Sequence, residues 1–262
     1  MGRTTWTLSN LASHVAAQFE HLSRISHETV RRWLKQAKIV YRRAKGWIIS
    51  PDVRYELKKH QRDRLLRVAR QASDGVAVWL DESWFVRWPY WYRTWTEQGK
   101  PLTVLQRWSE KVDTTALFVA LDDESQQSLL HWAQGQPNSD EMIVFLEKLT
   151  THYAVQGKRF IALFWDKASW HTSKKTRDWI RAYNQKAKQS GLPRLLVNYH
   201  PTRSPWLMPL ESIFGWVKHQ VLGGRVFQTI SELQQAVALA FQQRVAQAKK
   251  RHDKAVAAFL AA

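Results

Sequence analysis

Three carboxylates in this chain stand where a carboxylate is costly. Asp81 follows the apolar run Val76-Ala-Val-Trp-Leu80, Asp166 follows Phe160-Ile-Ala-Leu-Phe-Trp165, and Glu211 interrupts Trp206-Leu-Met-Pro-Leu-Glu-Ser-Ile-Phe214. An ionised acid beside a core needs a cation or hydrogen bonds to compensate it. The first two runs read as strands. If these strands are neighbours, their C-terminal ends lie about 5 Å apart, so both Asp side chains reach one site, and a helix packed alongside delivers Glu211. The chain has no Cys and no HxxxH spacing, so such a site holds a hard, oxygen-liganded cation, Mg²⁺ first with Mn²⁺ as a substitute. Two such ions about 3.5–4 Å apart activate a nucleophile and stabilise the leaving oxygen in phosphodiester displacement. Each acid alone also has a plain structural role, as a strand-end turn, an Asx turn or cap, or a first-turn helix residue. Their joint occurrence behind a basic N-terminal segment favours the metal site.

Other residues cluster around these three. Glu82 neighbours Asp81 but alternates to the opposite face of the strand, which favours a structural or supporting role over metal binding. His171, five residues past Asp166, either orients a carboxylate, touches substrate or is structural. Lys174, Lys175 and Arg177 open the helix after Asp166, where they hold a phosphate or form a solvated face. The segment Trp84 to Trp95 interleaves aromatics with Arg87 and Arg93, a mixture that serves for base stacking or for packing over a sheet.

The charge balance names the class of partner. Forty Lys and Arg against 22 Asp and Glu give a formal +18, and the natural sink for that field is a polyanion, nucleic acid before an anionic membrane. No stretch approaches the roughly 20 apolar residues of a membrane helix, and Met1-Gly-Arg-Thr-Thr lacks the apolar run of a secretory signal, so the expected location is cytoplasmic. The 15 Trp fit a core or a stacking platform equally well.

The elements that must position these residues follow from periodicity. Leu8, Leu11, Ala12, Val15, Ala16 and Phe19 form one helical face, and Ser26 caps a second helix with the stripe Val30, Trp33, Leu34 and Ala37. Arg31, Arg32, Lys35 and Gln36, with Thr29 nearby, face outward, the layout of a helix-turn-helix whose second helix enters the major groove. Arg42 and Arg43 extend this basic surface. From Tyr41 to Gln71 the chain is a basic connector in which Leu57, Leu65 and Val68 hint at a helix. It is either a solvated linker or a segment ordered by a neighbouring domain or by phosphates.

Val76–Leu80, Leu102–Leu105 and Ala116–Leu121 then read as a three-strand antiparallel meander. A helix from Ser139 to Val155, the strand Phe160–Trp165, a basic helix from Ser173 to Gln189, the strand Arg194–Asn198, a Pro-rich loop from His200 and a helix carrying Glu211 follow. Thr229-x-x-Glu232 opens a terminal helix with Leu233, Val237, Phe241 and Val245. The expected architecture is α/β, a mixed sheet flanked by helices behind an all-α module. Its expected divisions are a DNA-binding module at 1–45, a linker at 46–73 and a catalytic domain at 74–262.

Three blocks, Val78-Trp-Leu-Asp81-Glu-Ser83, Phe164-Trp-Asp166-Lys-Ala-Ser-Trp-His171-Thr-Ser173 and Ser204-Pro-Trp-Leu-Met-Pro209-Leu-Glu211, resemble the signature blocks of mariner-related bacterial insertion-sequence transposases, which are DDE superfamily endonucleases. Ser26-His-Glu-Thr-Val30-Arg-Arg-Trp-Leu34 is similar to the last helix-turn-helix of that family. The resemblance implies an RNase H-like catalytic domain whose triad Asp81, Asp166 and Glu211 holds two Mg²⁺. It further implies cleavage of element ends in double-stranded DNA, joining of their 3′-hydroxyls to target DNA, and a homodimer on DNA in the bacterial nucleoid. The chain departs from the family at Lys167, where Asn is usual, and around Met208, another usual Asn. The interval from Asp166 to Glu211 is also longer than usual, and the second, upstream helix-turn-helix common in the family has no room before Trp6. These departures motivate the alternative of a catalytically inactive, transposase-derived DNA-binding protein. A ribonuclease acting on RNA–DNA hybrids shares the fold but gains nothing from a sequence-reading N-terminal helix.

Overall fold

The computed structural model describes residues 6–41, 50–97, 101–103 and 113–260, with side chains through residue 245. The chain divides into two compact units, Met1–Ile48 and Ile49–Ala262. In the first, α1 (Leu8–Gln18) starts at Thr7, whose hydroxyl accepts the Asn10 N–H at 3.1 Å. A 3₁₀ turn at Glu20–Leu22 leads to α2 (His27–Gln36), where Ser26 Oγ accepts the Thr29 N–H at 3.1 Å. Each cap satisfies a donor that the helix itself leaves free, which fixes the two helix starts. The helices contact each other, burying Ala12 and Val30. Arg31, Arg32, Lys35 and Gln36 are exposed and Thr29 is half-buried. Trp33, assigned from its spacing to the apolar stripe, is 44% exposed; the stripe is narrower than its period indicates. Arg42 and Arg43 lie outside the described residues.

The second unit holds α3 (Tyr55–Gln71), β1 (Gly75–Val86), β2 (Thr114–Asp122), β3 (Ser128–Trp132), α4 (Ser139–Val155), β4 (Phe160–Trp165), α5 (Ser169–Thr172), α6 (Lys174–Ser190), β5 (Arg194–Tyr199), α7 (Pro209–Trp216) and α8 (Ile230–Leu260). The sheet order is β3-β2-β1-β4-β5, antiparallel among the first three strands and parallel from β1 through β4 to β5. This is the RNase H-like mixed sheet.

Strand alternation sends Val76, Val78 and Leu80 to one face, against Met142, Phe145, Leu146 and Leu149 of α4. Ala77, Trp79 and Phe85 go to the other, against Leu210, Ile213 and Phe214 of α7 and Leu233, Val237 and Phe241 of α8. Helices cover both faces, so the strands read as continuous apolar runs instead of alternating ones. The same alternation carries Asp81 to the α7 face and Glu82 to the α4 face.

Several expectations need correction. Leu102 and Thr103 are not in a strand, and residues 104–112 lie outside the described residues. The third strand of the meander is β3, which the sequence disguises because it is half-buried throughout and contains His131, held by Glu141 Oε2 at 2.9 Å and Lys148 at 2.9 Å. Asp81 does not end its strand. β1 continues to Val86, and only its pairing with β4 stops, at Trp79. The basic connector is not a linker throughout, because α3 buries Ala69 and packs Leu65 and Leu66 onto the sheet core. Leu57 and Val68, read as its apolar face, are 55% and 47% exposed. Gly191 closes α6 in the left-handed region at φ 68°, a conformation that glycine adopts without a Cβ clash.

Candidate active site

The three acids come together because strand register and a helix start converge. Asp81 lies in β1 just past its parallel pairing with β4, Asp166 is the first residue after β4, and Glu211 occupies the first turn of α7, which Pro209 initiates. Proline suits that place, since its missing N–H is one that a helix start leaves unbonded anyway. Asp81, Asp166 and Glu211 line one cleft of about 370 Å³, together with Lys167, His200 and Met208.

Electrostatics in the cleft is that of crowded acids. Burial, then Glu82, pushes the Asp81 carboxyl up to about 8; the Glu82 N–H, donated to Asp81 Oδ1 at 2.9 Å, opposes this, and Glu211 and Asp166 add smaller upward contributions. Burial also opposes ionisation of Asp166, but bonds to Oδ1 from His171 Nδ1 and the Ala168 N–H, both 2.8 Å, hold this carboxyl below its ordinary range. Lys218, on the turn that extends α7, lies 5.4 Å from the Phe85 ring centroid. Burial lowers its pKa while Glu211 and Asp81 pull the other way. A cleft of oxygen donors in which neighbouring carboxylates help raise the Asp81 pKa fits a hard divalent cation, which would relieve the repulsion and complete the donor set.

Glu82 and His171 form a brace behind Asp166. His171 is fully buried and stacked on Trp165, with centroids 4.5 Å apart. Its Nε2 lies 2.6 Å from Glu82 Oε1, which also accepts Trp170 Nε1–H at 2.7 Å. Burial disfavours the imidazolium, yet Glu82 and Asp166 raise its pKa to about 9, so both ring nitrogens donate. Ligating atoms of Glu82, Asp166 and His171 lie within 4.8 Å of one another, an alternative metal grouping on distance alone. Both imidazole nitrogens are already committed, Nδ1 to Asp166 Oδ1 and Nε2 to Glu82 Oε1.

Several parts of the site carry no signal in sequence spacing. The loop leading to Glu211 is held by residues 150 positions earlier: Asp52 Oδ2 accepts the Thr202 N–H at 2.9 Å, Ser50 Oγ–H donates to Thr202 O at 2.6 Å, and Trp206 Nε1–H donates to Tyr55 Oη at 3.0 Å. Lys58 also bonds Asp52, and the neighbouring Lys58 ammonium, together with burial, holds the Lys167 ammonium below its usual pKa. His200 is buried at the cleft wall, and burial lowers its pKa to about 4. Lys174 and Lys175 are exposed, pair with Asp178 and Asp140, and do not line the cleft. Arg87 in the aromatic segment pairs with Asp113 at 2.7 Å, while Trp91 and Trp95 are 79% and 100% exposed.

A family model described as DDE superfamily endonuclease matches residues 76–234. Among solved structures, the Mos1 transposase paired-end complex with left transposon end is 17% identical with a TM-score of 0.60, covering 98% of this chain and 80% of that one. The mariner Mos1 paired end complex with Mg is 20% identical with a TM-score of 0.61 and the same coverage. The corresponding complex with Mn is 19% identical with a TM-score of 0.60, covering 97% of this chain and 74% of that one. At these identities the likeness speaks for the fold. None of the curated proteins matches the chain.

Proposed function

The chain belongs to the DDE superfamily endonucleases, and from that premise we propose that it is a DNA transposase that cuts the ends of its element and joins them to target DNA. The observation that carries this reading is the convergence of Asp81, Asp166 and Glu211 on one cleft beyond the end of the parallel β1–β4 pairing. In it, Asp81, Asp166 and Glu211 hold divalent ions, two Mg²⁺ with Mn²⁺ as a substitute. Bound there, the metal supplies activation of a water or 3′-hydroxyl and stabilisation of the leaving oxygen.

The protein's own part is positioning. His171, clamped between Glu82 and Asp166, fixes the orientation of Asp166 by occupying Oδ1, which leaves Oδ2 for the cleft. The clasp of Ser50, Asp52 and Tyr55 on the loop from Thr202 to Trp206 fixes the approach to α7 and hence Glu211. Lys167 places positive charge on the cleft lining, where a DNA backbone phosphate passes. In the first unit, the exposed Arg31, Arg32, Lys35 and Gln36 of α2 read the element ends, with Thr29 beside them and with Arg42 and Arg43 as backbone contacts. Lys174 and Lys175 are further candidates for backbone contact outside the cleft. The DNA-binding module, the basic segment and the catalytic domain then correspond to residues 1–45, 46–73 and 74–262, with α3 as part of the catalytic body. The Mos1 complexes are named as paired-end complexes; cutting two ends together calls for a homodimer here as well. No described helix is long and apolar enough to cross a membrane, in keeping with action on chromosomal DNA.

The test is nicking of a supercoiled plasmid carrying the gene's own flanking DNA, in Mg²⁺ or Mn²⁺, by wild type and Asp166→Asn. Metal-dependent nicking that the variant lacks supports the reading. Retarded migration of the flanking DNA without nicking by either protein supports the non-catalytic alternative.

A further inference from the structure

His200 is the first residue beyond β5. The register pairs Trp165 with Tyr199, and the His200 N–H extends the ladder by donating to Trp165 O at 2.9 Å. Asp166 and His200 are therefore neighbours, each one residue past the C-terminal end of adjacent parallel strands, the place where open α/β sheets meet their ligands. The imidazole lies on Trp79, with centroids 5.7 Å apart and planes 16° from parallel, so its position is set by packing.

What sets His200 apart is its unused hydrogen-bonding capacity. It is 4% exposed and lines the cleft of Asp81, Asp166 and Glu211, yet neither Nδ1 nor Nε2 has a hydrogen-bond partner among the described residues. Each such atom carries a desolvation penalty that an apolar side chain of similar size avoids. Buried polar atoms are nearly always paired; one left open in a cleft wall marks a bond made when the cleft is filled. Whether neutral or protonated, the ring carries at least one N–H donor. An anionic oxygen suits that donor, and Lys167, which lines the same cleft, favours an anion there.

We propose that His200 is a substrate-positioning residue whose ring N–H donates to a non-bridging oxygen of the DNA phosphodiester held in the cleft. This rests on the DNA-cutting reading of the same cleft and adds the residue that orients the strand within it. His200 acts on the DNA and not on the metal, which separates its effects from those of the three acids.

The experiment compares wild type, His200→Leu and His200→Gln as full-length protein. Plasmid nicking is measured against DNA concentration and, separately, against Mg²⁺ concentration. In parallel, imidazole ¹⁵N signals of the metal-free protein are followed while a short duplex oligonucleotide is added, with His200 identified by the signals missing from either variant. The expected result is a fall in kcat/KM of about 10- to 100-fold for His200→Leu, the loss of one hydrogen bond to a charged group. Half-saturating Mg²⁺ stays unchanged, His200→Gln recovers part of the rate through its amide N–H, and the His200 ring signals of wild type shift with the duplex. Unchanged kcat/KM in His200→Leu overturns the proposal. So does a shift in half-saturating Mg²⁺, which makes His200 a metal ligand, and so do His200 ring signals that stay still while other histidines respond to DNA. A wild type that neither nicks nor binds the duplex overturns the DNA-cutting reading itself, and this inference with it.

Discussion

Asp81→Asn isolates the electrostatic cost of assembling the cleft. In the metal-free protein, burial and then the negative charge of Glu82, Glu211 and Asp166 place the Asp81 carboxyl at about 8, against 3.8 for an ordinary Asp. The folded state thus holds this proton more tightly than the unfolded state does. Below pH 4 the group is protonated in both states and costs nothing. As pH rises from 4, stability is lost at up to about 1.4 kcal/mol per pH unit, and the loss levels off above 8, where the carboxyl is ionised in both states. The ceiling is about 6 kcal/mol, with relaxation and water entry reducing the realised value. Asn keeps the shape and cannot ionise. Urea unfolding in EDTA across pH 4–9 therefore shows Asp81→Asn increasingly more stable than wild type up to pH 8, with a constant difference beyond. Added Mg²⁺ stabilises wild type and leaves the variant unchanged, because only a native site gains from binding. A difference that stays flat across this range, or an equal Mg²⁺ response from both proteins, refutes the reasoning.

Three further outcomes follow from particular contacts. His171→Ala leaves Glu82 buried without its cation, costing about 3–5 kcal/mol in unfolding measurements, and removal of the brace on Asp166 weakens metal binding about 10- to 100-fold by calorimetry. Lys167→Asn flattens the dependence of log DNA affinity on log salt by about one, and an unchanged slope in a binding titration removes Lys167 from the phosphate path. Leu163→Ala, at a fully buried position in β4, destabilises by about 2–5 kcal/mol through lost burial and a residual cavity, readable as a lowered urea midpoint.

Much of the fold was legible because its strands are short apolar runs and its helices carry clear caps. Ser26, Asn138 and Ser173 each accept backbone N–H groups at helix starts, and Thr229 Oγ1 accepts the Glu232 N–H at 3.1 Å. β3 was hidden because its half-buried, His-containing sequence owes its place to a side-chain network with α4 and not to its own pattern. α3 was obscured for a related reason: its contacts with the sheet core come from Leu65, Leu66 and Ala69, a small patch in a helix dominated by Lys and Arg.

Within the candidate site, the acids were visible because each interrupts an apolar stretch, and strand alternation placed Asp81 and Glu82 on opposite faces. His200 could not be singled out in this way. A histidine before a Pro-rich loop looks ordinary, and its interest comes from two ring nitrogens that the fold buries and leaves unbonded. The clasp of Asp52 on Thr202 was equally invisible, since nothing local relates residues 150 positions apart.

The most direct measurement is the anomalous scattering of Mn²⁺ in crystals of the full chain. The expected result is metal density bounded by Asp81, Asp166 and Glu211, and its loss in Asp166→Asn. Density centred on Glu82 and His171 instead, or density that persists in Asp166→Asn, contradicts the assignment of these three acids as the metal-binding heart of the protein.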